Sequence, residues 1–227
     1  MKTAFFQAVQ LILSNNSQLW NIITVTLKMG LCSSLISLFI GVPLGILLGS
    51  SPYRSKNIFV VLNRTMMGLP PVVCGLICFM LFSGVGPLRH LELLYTVRGM
   101  IIAQVILITP LIIGNLESHV SVISPAIMET SIGLGLGSAR TLKLIVNESQ
   151  YQILSTYLFG LGRAFAEVGA ISMVGGAIAY KTNVMTTAIM NYSNRGDFTL
   201  ALALGIILLG ISLILNSIAT LIFITLK

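Results

Sequence analysis

Between residues 129 and 148 the chain reads ETSIGLGLGSARTLKLIVNE, its longest polar-tolerant interruption between apolar segments. Small residues recur at Ser131, Gly133, Gly135, Gly137 and Ser138. Without a Cβ at the glycines, another surface can approach the backbone closely there. Arg140 and Lys143 follow on the next turn, where they can pair with an acidic partner or with lipid phosphates. A connecting loop that is glycine-rich merely because it turns accounts for the same residues. The choice between a docking surface and a plain connection therefore rests on the flanking chain, which is apolar on both sides.

At 227 residues, 56% hydrophobic and only 8% charged, the chain has too little polar surface to cover a soluble globule. It reads as one all-α integral membrane domain. The net charge of +7 raises the question of nucleic acid, but the 13 Lys and Arg are scattered singly rather than clustered, so no nucleic-acid partner is expected. Cys32, Cys74 and Cys78 fall inside apolar runs and read as small buried hydrophobes. No metal site is expected.

Outward from the interruption, five spans are expected. Residues 1–18 form a short interfacial segment, because the apolar run Phe5–Leu13 is too short for a hydrocarbon core of about 30 Å. The rest, 19–227, is the transmembrane domain. Its first span follows Trp20, an interfacial anchor, and carries Ser33, Ser37, Gly41, Gly45 and Gly49 at every fourth position. Such a stripe permits close helix contact in lipid. The second span, about 57–82, contains Pro70-Pro71, which removes two backbone donors and breaks the helix in mid-membrane. A third span at 100–116 leads to a loop at about 117–150. A fourth, 152–178, has Leu154, Leu158, Leu161, Phe165 and Val168 on a lipid face and Thr156, Gly160, Arg163, Glu167 and Ala170 on an interior face. A mixed loop, 179–197, ends at Asp197, which caps a fifth span from Phe198.

Lys28, Arg64, Arg163 and Glu167 lie within apolar segments, at a cost of roughly 2.5–3.5 kcal/mol each on insertion scales. Arg163 and Glu167 are one helical turn apart and can form a structural pair. Lys28 and Arg64 can snorkel, or can join Arg163 in making an interior path electropositive and suited to an anion. Together with Pro70 and Pro71 these four are the candidate pathway or gate. Charge placement does not orient the spans, since Arg54, Lys56, Arg140, Lys143 and Lys227 on one side balance Lys2, Arg89, Arg98, Lys181 and Arg195 on the other. No hydrolase elbow or zinc-protease motif is present, and GGAIAYKT at 175–182 has Tyr180 where a phosphate loop needs glycine. If ATP drives this protein, another chain binds it.

The 129–148 stretch is similar to the EAA loop of ABC-importer permeases, with Thr130 and Ser131 for its alanines, Gly135 and Ile145 in register, and Asn147-Glu148 for its Leu-Pro. MMGLPPVVCGL at 66–76, GLGRAFAEVGAISMVGGAIAYKTNVMTTAI at 160–189 and GDFTLALALGIILL at 196–209 resemble permeases of tungstate-type importers, relatives of the molybdate and sulfate permeases. Ala177 departs from that pattern, where the family has asparagine. The resemblance implies a type I ABC-importer permease in a bacterial or archaeal cytoplasmic membrane. It implies a homodimer with its path on the two-fold axis, ATP and magnesium bound only by a partner ATPase, and an extracytoplasmic solute-binding protein that delivers the oxyanion. Glu129, Thr130, Ser131, Gly135, Arg140 and Lys143 would form the ATPase-docking loop. The rival is an ion-coupled secondary transporter using Arg163 and Glu167 as a relay; a membrane scaffold is a third class.

Overall fold

A computed structural model describes residues 17–51 and 56–225. The expected interfacial segment 1–18 therefore lies almost wholly outside the described residues, as does Arg54. The described chain forms helices α1 (Ser17–Ser50), α2 (Lys56–Met67), α3 (Pro71–Phe82), α4 (Val97–Gly133), α5 (Ser138–Glu148), α6 (Gln150–Ala166), α7 (Gly169–Gly175), α8 (Met185–Asn194) and α9 (Phe198–Thr225), with a 3-10 turn at Arg89–Leu91. No strand occurs among the described residues. α1, α4 and α9 are each long and apolar enough to cross a membrane, and α2–α3 and α6–α7 are two broken pairs.

The helices divide into two compact units. The first holds α1 to Ser33, α3, the start of α4 to Gln104, the end of α6 from Gly162, and α7 to α9. Its core joins Leu19, Ile22 and Ile23 of α1 to Met185 and Ala188 of α8 and to Ala203, Leu204 and Ile207 of α9. Met29, Met100, Ile171 and Val184 form a second cluster. Two of the buried polar side chains in this unit pair with each other, as burial favours. Ser33 donates to Gln104 Oε1 at 2.6 Å, and Gln104 Nε2 donates to the Ala164 carbonyl at 2.7 Å.

The second unit holds α1 from Ser34, α2, α4 from Val105, α5 and α6 to Leu161. Here the small-residue stripe performs the expected close packing. A Cβ on Gly41 would meet Ile112, one on Gly45 would meet Leu116, and one on Gly49 would meet Val120, each at under 3 Å. The register advances four residues on both helices, so α1 and α4 run parallel. Gly160 of α6 faces Ile108 and Ile112 while Ile153 packs with Val120, so α6 runs antiparallel to α4. The described helices thus supply three to five candidate spans, five when each broken pair counts as one.

Several boundaries differ from expectation. The stretch 117–150 is not a loop: α4 runs unbroken to Gly133, and α5 and α6 cover all but 134–137 and Ser149. The expectation of a loop follows the loss of apolarity at Glu117, but a helix satisfies its own backbone hydrogen bonds and can continue past the apolar stretch. The proline break, by contrast, falls where expected: α2 ends at Met67, Pro70 takes an extended backbone as N-cap and Pro71 opens α3 at its first helical position. The fourth span is interrupted at Glu167-Val168, and the supposed loop 179–197 contains α8. Its apolar face is not turned to lipid throughout, since Leu161 and Phe165 are buried and Phe165 fills the space over Gly30. Asp197 does cap α9, with Oδ1 accepting the Leu200 N–H at 3.1 Å.

Candidate functional site

In the second unit the C-terminus of α4 and the start of α5 make a closed turn. Gly135 has φ +64°, its N–H reaches the Ile132 carbonyl at 3.0 Å, and the Leu136 N–H reaches the Ser131 carbonyl at 2.8 Å. This paired arrangement ends a helix on a left-handed residue, which is why position 135 calls for glycine. Gly137 then leads α5, its carbonyl accepting the Arg140 and Thr141 N–H groups. Ile145 of α5 is buried against Ile46 and Val120, which fixes α5 to its own unit. On the outer side Ile132, Leu134 and Leu142 are exposed, as are Glu129, Thr130, Arg140 and Lys143. Of the six expected docking residues only Ser131 turns inward, being buried, while Gly135 is exposed like the other four. Ser50, Met128, Leu142 and Ile145 are among the residues lining one cavity of 280 Å³, so the end of α1 and the turn lie on the same membrane face.

Glu117 is a buried charge that sequence reasoning missed. It lies in α4, buried, with Lys56 Nζ 4.0 Å from one carboxylate oxygen and Arg64 Nη2 3.8 Å from the other. Arg64 is therefore not a free intramembrane cation, and the expected excess of three cations over one anion is reduced. The available signal was periodicity: Glu117 follows Leu116 and Ile113 and precedes Val120, on the buried side of a helix. A carboxylate there requires cationic partners. Asn63 also secures α2, donating to the Pro110 carbonyl at 3.0 Å.

In the first unit Arg163 and Glu167 pair as expected, with Nη2 and Oε2 3.7 Å apart. The carboxylate has further duties. Oε1 accepts the Ala170 N–H at 3.1 Å, one of the donors left open in the first turn of α7. The Glu167 carbonyl accepts the Thr186 hydroxyl at 2.9 Å, tying the break to α8. A buried polar belt follows. Thr182 donates to the Gly175 carbonyl and accepts the Ile178 N–H, and Thr187 donates to Asn183 Oδ1 while accepting the Val184 N–H. Most of these residues lie in the stretch 179–197 expected to be a loop.

Gly176, Ala177 and Tyr180 all have positive φ in this segment, Ala177 at 48°. Asparagine tolerates that region far better than alanine, which gives a physical reason for the asparagine that the resemblance places at 177. Ala177→Asn is expected to raise the melting temperature, by a stabilisation of about 0.5 kcal/mol, in a thermal scan of the detergent-solubilised chain.

Lys28 is exposed on α1 with no carboxylate within ion-pair distance among the described residues. Cys74 and Cys78 are buried as expected, and no group of metal-ligating residues occurs among the described residues. The candidate pathway residues thus fall into separate clusters, Arg64 with Glu117 in one unit and Arg163 with Glu167 in the other.

Residues 41–223 match the family described as "Binding-protein-dependent transport system inner membrane component". The chain is 34% identical over 214 residues to the tungstate uptake system permease protein TupB of Peptoclostridium acidaminophilum, covering 94% of each chain. It is 32% identical over 208 residues to a probable anion ABC transporter permease protein of Haloferax volcanii, across 89% of this chain and 90% of that one. The TupB protein of Campylobacter jejuni is 31% identical over 164 residues, 72% of this chain and 69% of that one.

Proposed function

The chain belongs to the inner-membrane components of binding-protein-dependent transport systems, and from that premise we propose that it is the permease subunit of an ATP-driven importer of an oxyanion, most specifically tungstate. The observation that carries the reading is the turn between α4 and α5. It closes α4 on Gly135, holds α5 through the buried Ile145, and turns Ile132, Leu134 and Leu142 outward between Glu129, Arg140 and Lys143. An apolar tip rimmed by charges suits a protein partner, here a cytoplasmic ATP-binding subunit.

Two copies of the chain, each holding one ATPase, would form the path. ATP and magnesium belong to the ATPase, and this chain performs no covalent step. Closure of the ATPases on ATP moves the turn, from which α4 continues as one helix to Val97, with Pro110 and Pro125 along its length. The bundle then alternates access, receiving oxyanion from the extracytoplasmic binding protein. Lys28, with no carboxylate facing it, is the cation best placed to attract the substrate electrostatically. The tungstate assignment rests on the names of two of the relatives.

The test is reconstitution of the chain with its ATPase and binding protein in vesicles, with ATP hydrolysis followed on adding tungstate, molybdate or sulfate. Stimulation by tungstate at the lowest concentration supports the full proposal. Stimulation by molybdate or sulfate instead keeps the importer and changes its cargo. Uptake driven by a proton gradient without ATP would replace the importer by a secondary transporter.

A further inference from the structure

We propose that the second unit carries a specific site for an anionic phospholipid, with an acyl chain in the groove between α1 and α2 and the headgroup phosphate on Lys56 and Arg64. The groove has a volume of 410 Å³ and is walled by Leu44, Leu47 and Leu48 of α1 and Phe59, Leu62 and Met66 of α2. That size lies in the range of about 300–1,000 Å³ usual for small-molecule clefts. α2 has no buried residue, so its apolar side is open along its length. In a membrane-spanning chain, hydrocarbon is the solvent that meets such a surface.

The charge at its end selects the headgroup. Lys56 precedes Phe59 by three residues on one helix face, and its Nζ lies 3.4 Å from the Gly49 carbonyl, beside the groove residue Ser51. Lys56 and Arg64 flank a single carboxylate, that of Glu117, at 4.0 and 3.8 Å, so one positive charge remains uncompensated. Both contacts are long for charge-assisted hydrogen bonds, and the Arg64 side chain is 65% exposed. A phosphate diester brings the missing negative charge, and its attached chain fills the groove. A zwitterionic lipid brings no net charge and gains nothing from the excess. The site lies toward the membrane face that carries the α4–α5 turn, since Ser50 lines the cavity beneath that turn.

Native mass spectrometry of the full chain, in detergent supplemented with phosphatidylglycerol or phosphatidylcholine, tests this directly. The wild-type chain should retain phosphatidylglycerol preferentially. Lys56→Gln and Arg64→Gln should each reduce that preference about fivefold, the effect of one basic residue near a lipid surface. Leu47→Trp, which fills the groove, should expel the lipid, whereas Lys181→Gln should change nothing. Phe59→Ala, which removes one wall, gives a second reading should the tryptophan prevent folding. Equal retention of the two lipids by the wild type overturns the proposal, as does phosphatidylglycerol that survives both Leu47→Trp and Phe59→Ala. Spontaneous disulfide dimers of Phe59→Cys in lipid vesicles would also overturn it, by showing that a second copy covers the groove.

Discussion

Purified as Gly133→Trp, the chain is expected to leave the membrane folded but without the ATP-binding subunit that accompanies the wild type. Gly133 is the last residue of α4, and a Cβ added there meets nothing within 4 Å. Its φ is not positive, so the substitution adds an indole to the outer surface without straining the backbone. Melting temperature in detergent should therefore stay close to wild type, while association with the ATPase weakens by ~2–4 kcal/mol, the loss typical of a disrupted interface centre. Gly135 separates surface from backbone. It also faces open space but has φ +64°. Gly135→Asn keeps the left-handed turn with a small side chain and should retain more ATPase than Gly135→Val, whose branched side chain opposes that conformation. Full ATPase recovery with Gly133→Trp would remove the turn from the interface. An ATPase lost only in variants that also melt early would reduce the turn to a structural connection.

The parts of the fold readable in the sequence are those in which one local force dominates. The four-residue recurrence of small side chains from Ser33 to Gly49 has one economical use in lipid, and α1 packs on α4 through Gly41, Gly45 and Gly49. Asp197 before an apolar run had one helix end to cap and caps it. Glu117 was opaque for the opposite reason. Hydropathy marks where a helix leaves hydrocarbon, not where it ends, and α4 continues to Gly133, just before the left-handed Gly135. A loop expected from position 117 hides the partner that Lys56 and Arg64 meet on α4. The break at Glu167-Val168 was equally hidden, because Gly169 beside it looks no different from Gly160 and Gly162, which stay helical. At the break Glu167 accepts the nearby Ala170 N–H and, from farther along the chain, the Thr186 hydroxyl, and no window of sequence shows that Thr186 folds back there. The parallel packing of α1 on α4 comes from residues about seventy positions apart, beyond the reach of any local pattern.

Glu167→Ala is expected to abolish uptake and to destabilise the chain by roughly 2–4 kcal/mol, measured as a fall in melting temperature and in the amount of folded protein in the membrane. The size follows from what the carboxylate serves. Its side chain is only 5% exposed, so its partners lose their acceptor in a place where water replaces it poorly. Ala170 would keep an open N–H in the first turn of α7, and Arg163 would be left unpaired, though at 41% exposure it recovers part of its solvation. Arg163→Ala leaves the buried partner charged and alone, which is costlier per atom removed. The double variant removes both charges and should be more stable than the sum of the single losses, a coupling that a double-mutant cycle measures. Glu167→Gln distinguishes structure from proton relay. Glutamine offers Oε1 to the Ala170 N–H at nearly the same shape, so an importer whose Glu167 fixes the α6–α7 break should keep ATP-dependent uptake at a reduced rate. A relay cannot carry a proton on an amide. Complete loss of uptake in a stably folded Glu167→Gln, together with wild-type uptake that follows the proton gradient and ignores ATP, would favour the relay. Retained ATP-dependent uptake assigns the pair its structural role, and the break between α6 and α7 becomes the element whose two arrangements the transport cycle must exchange.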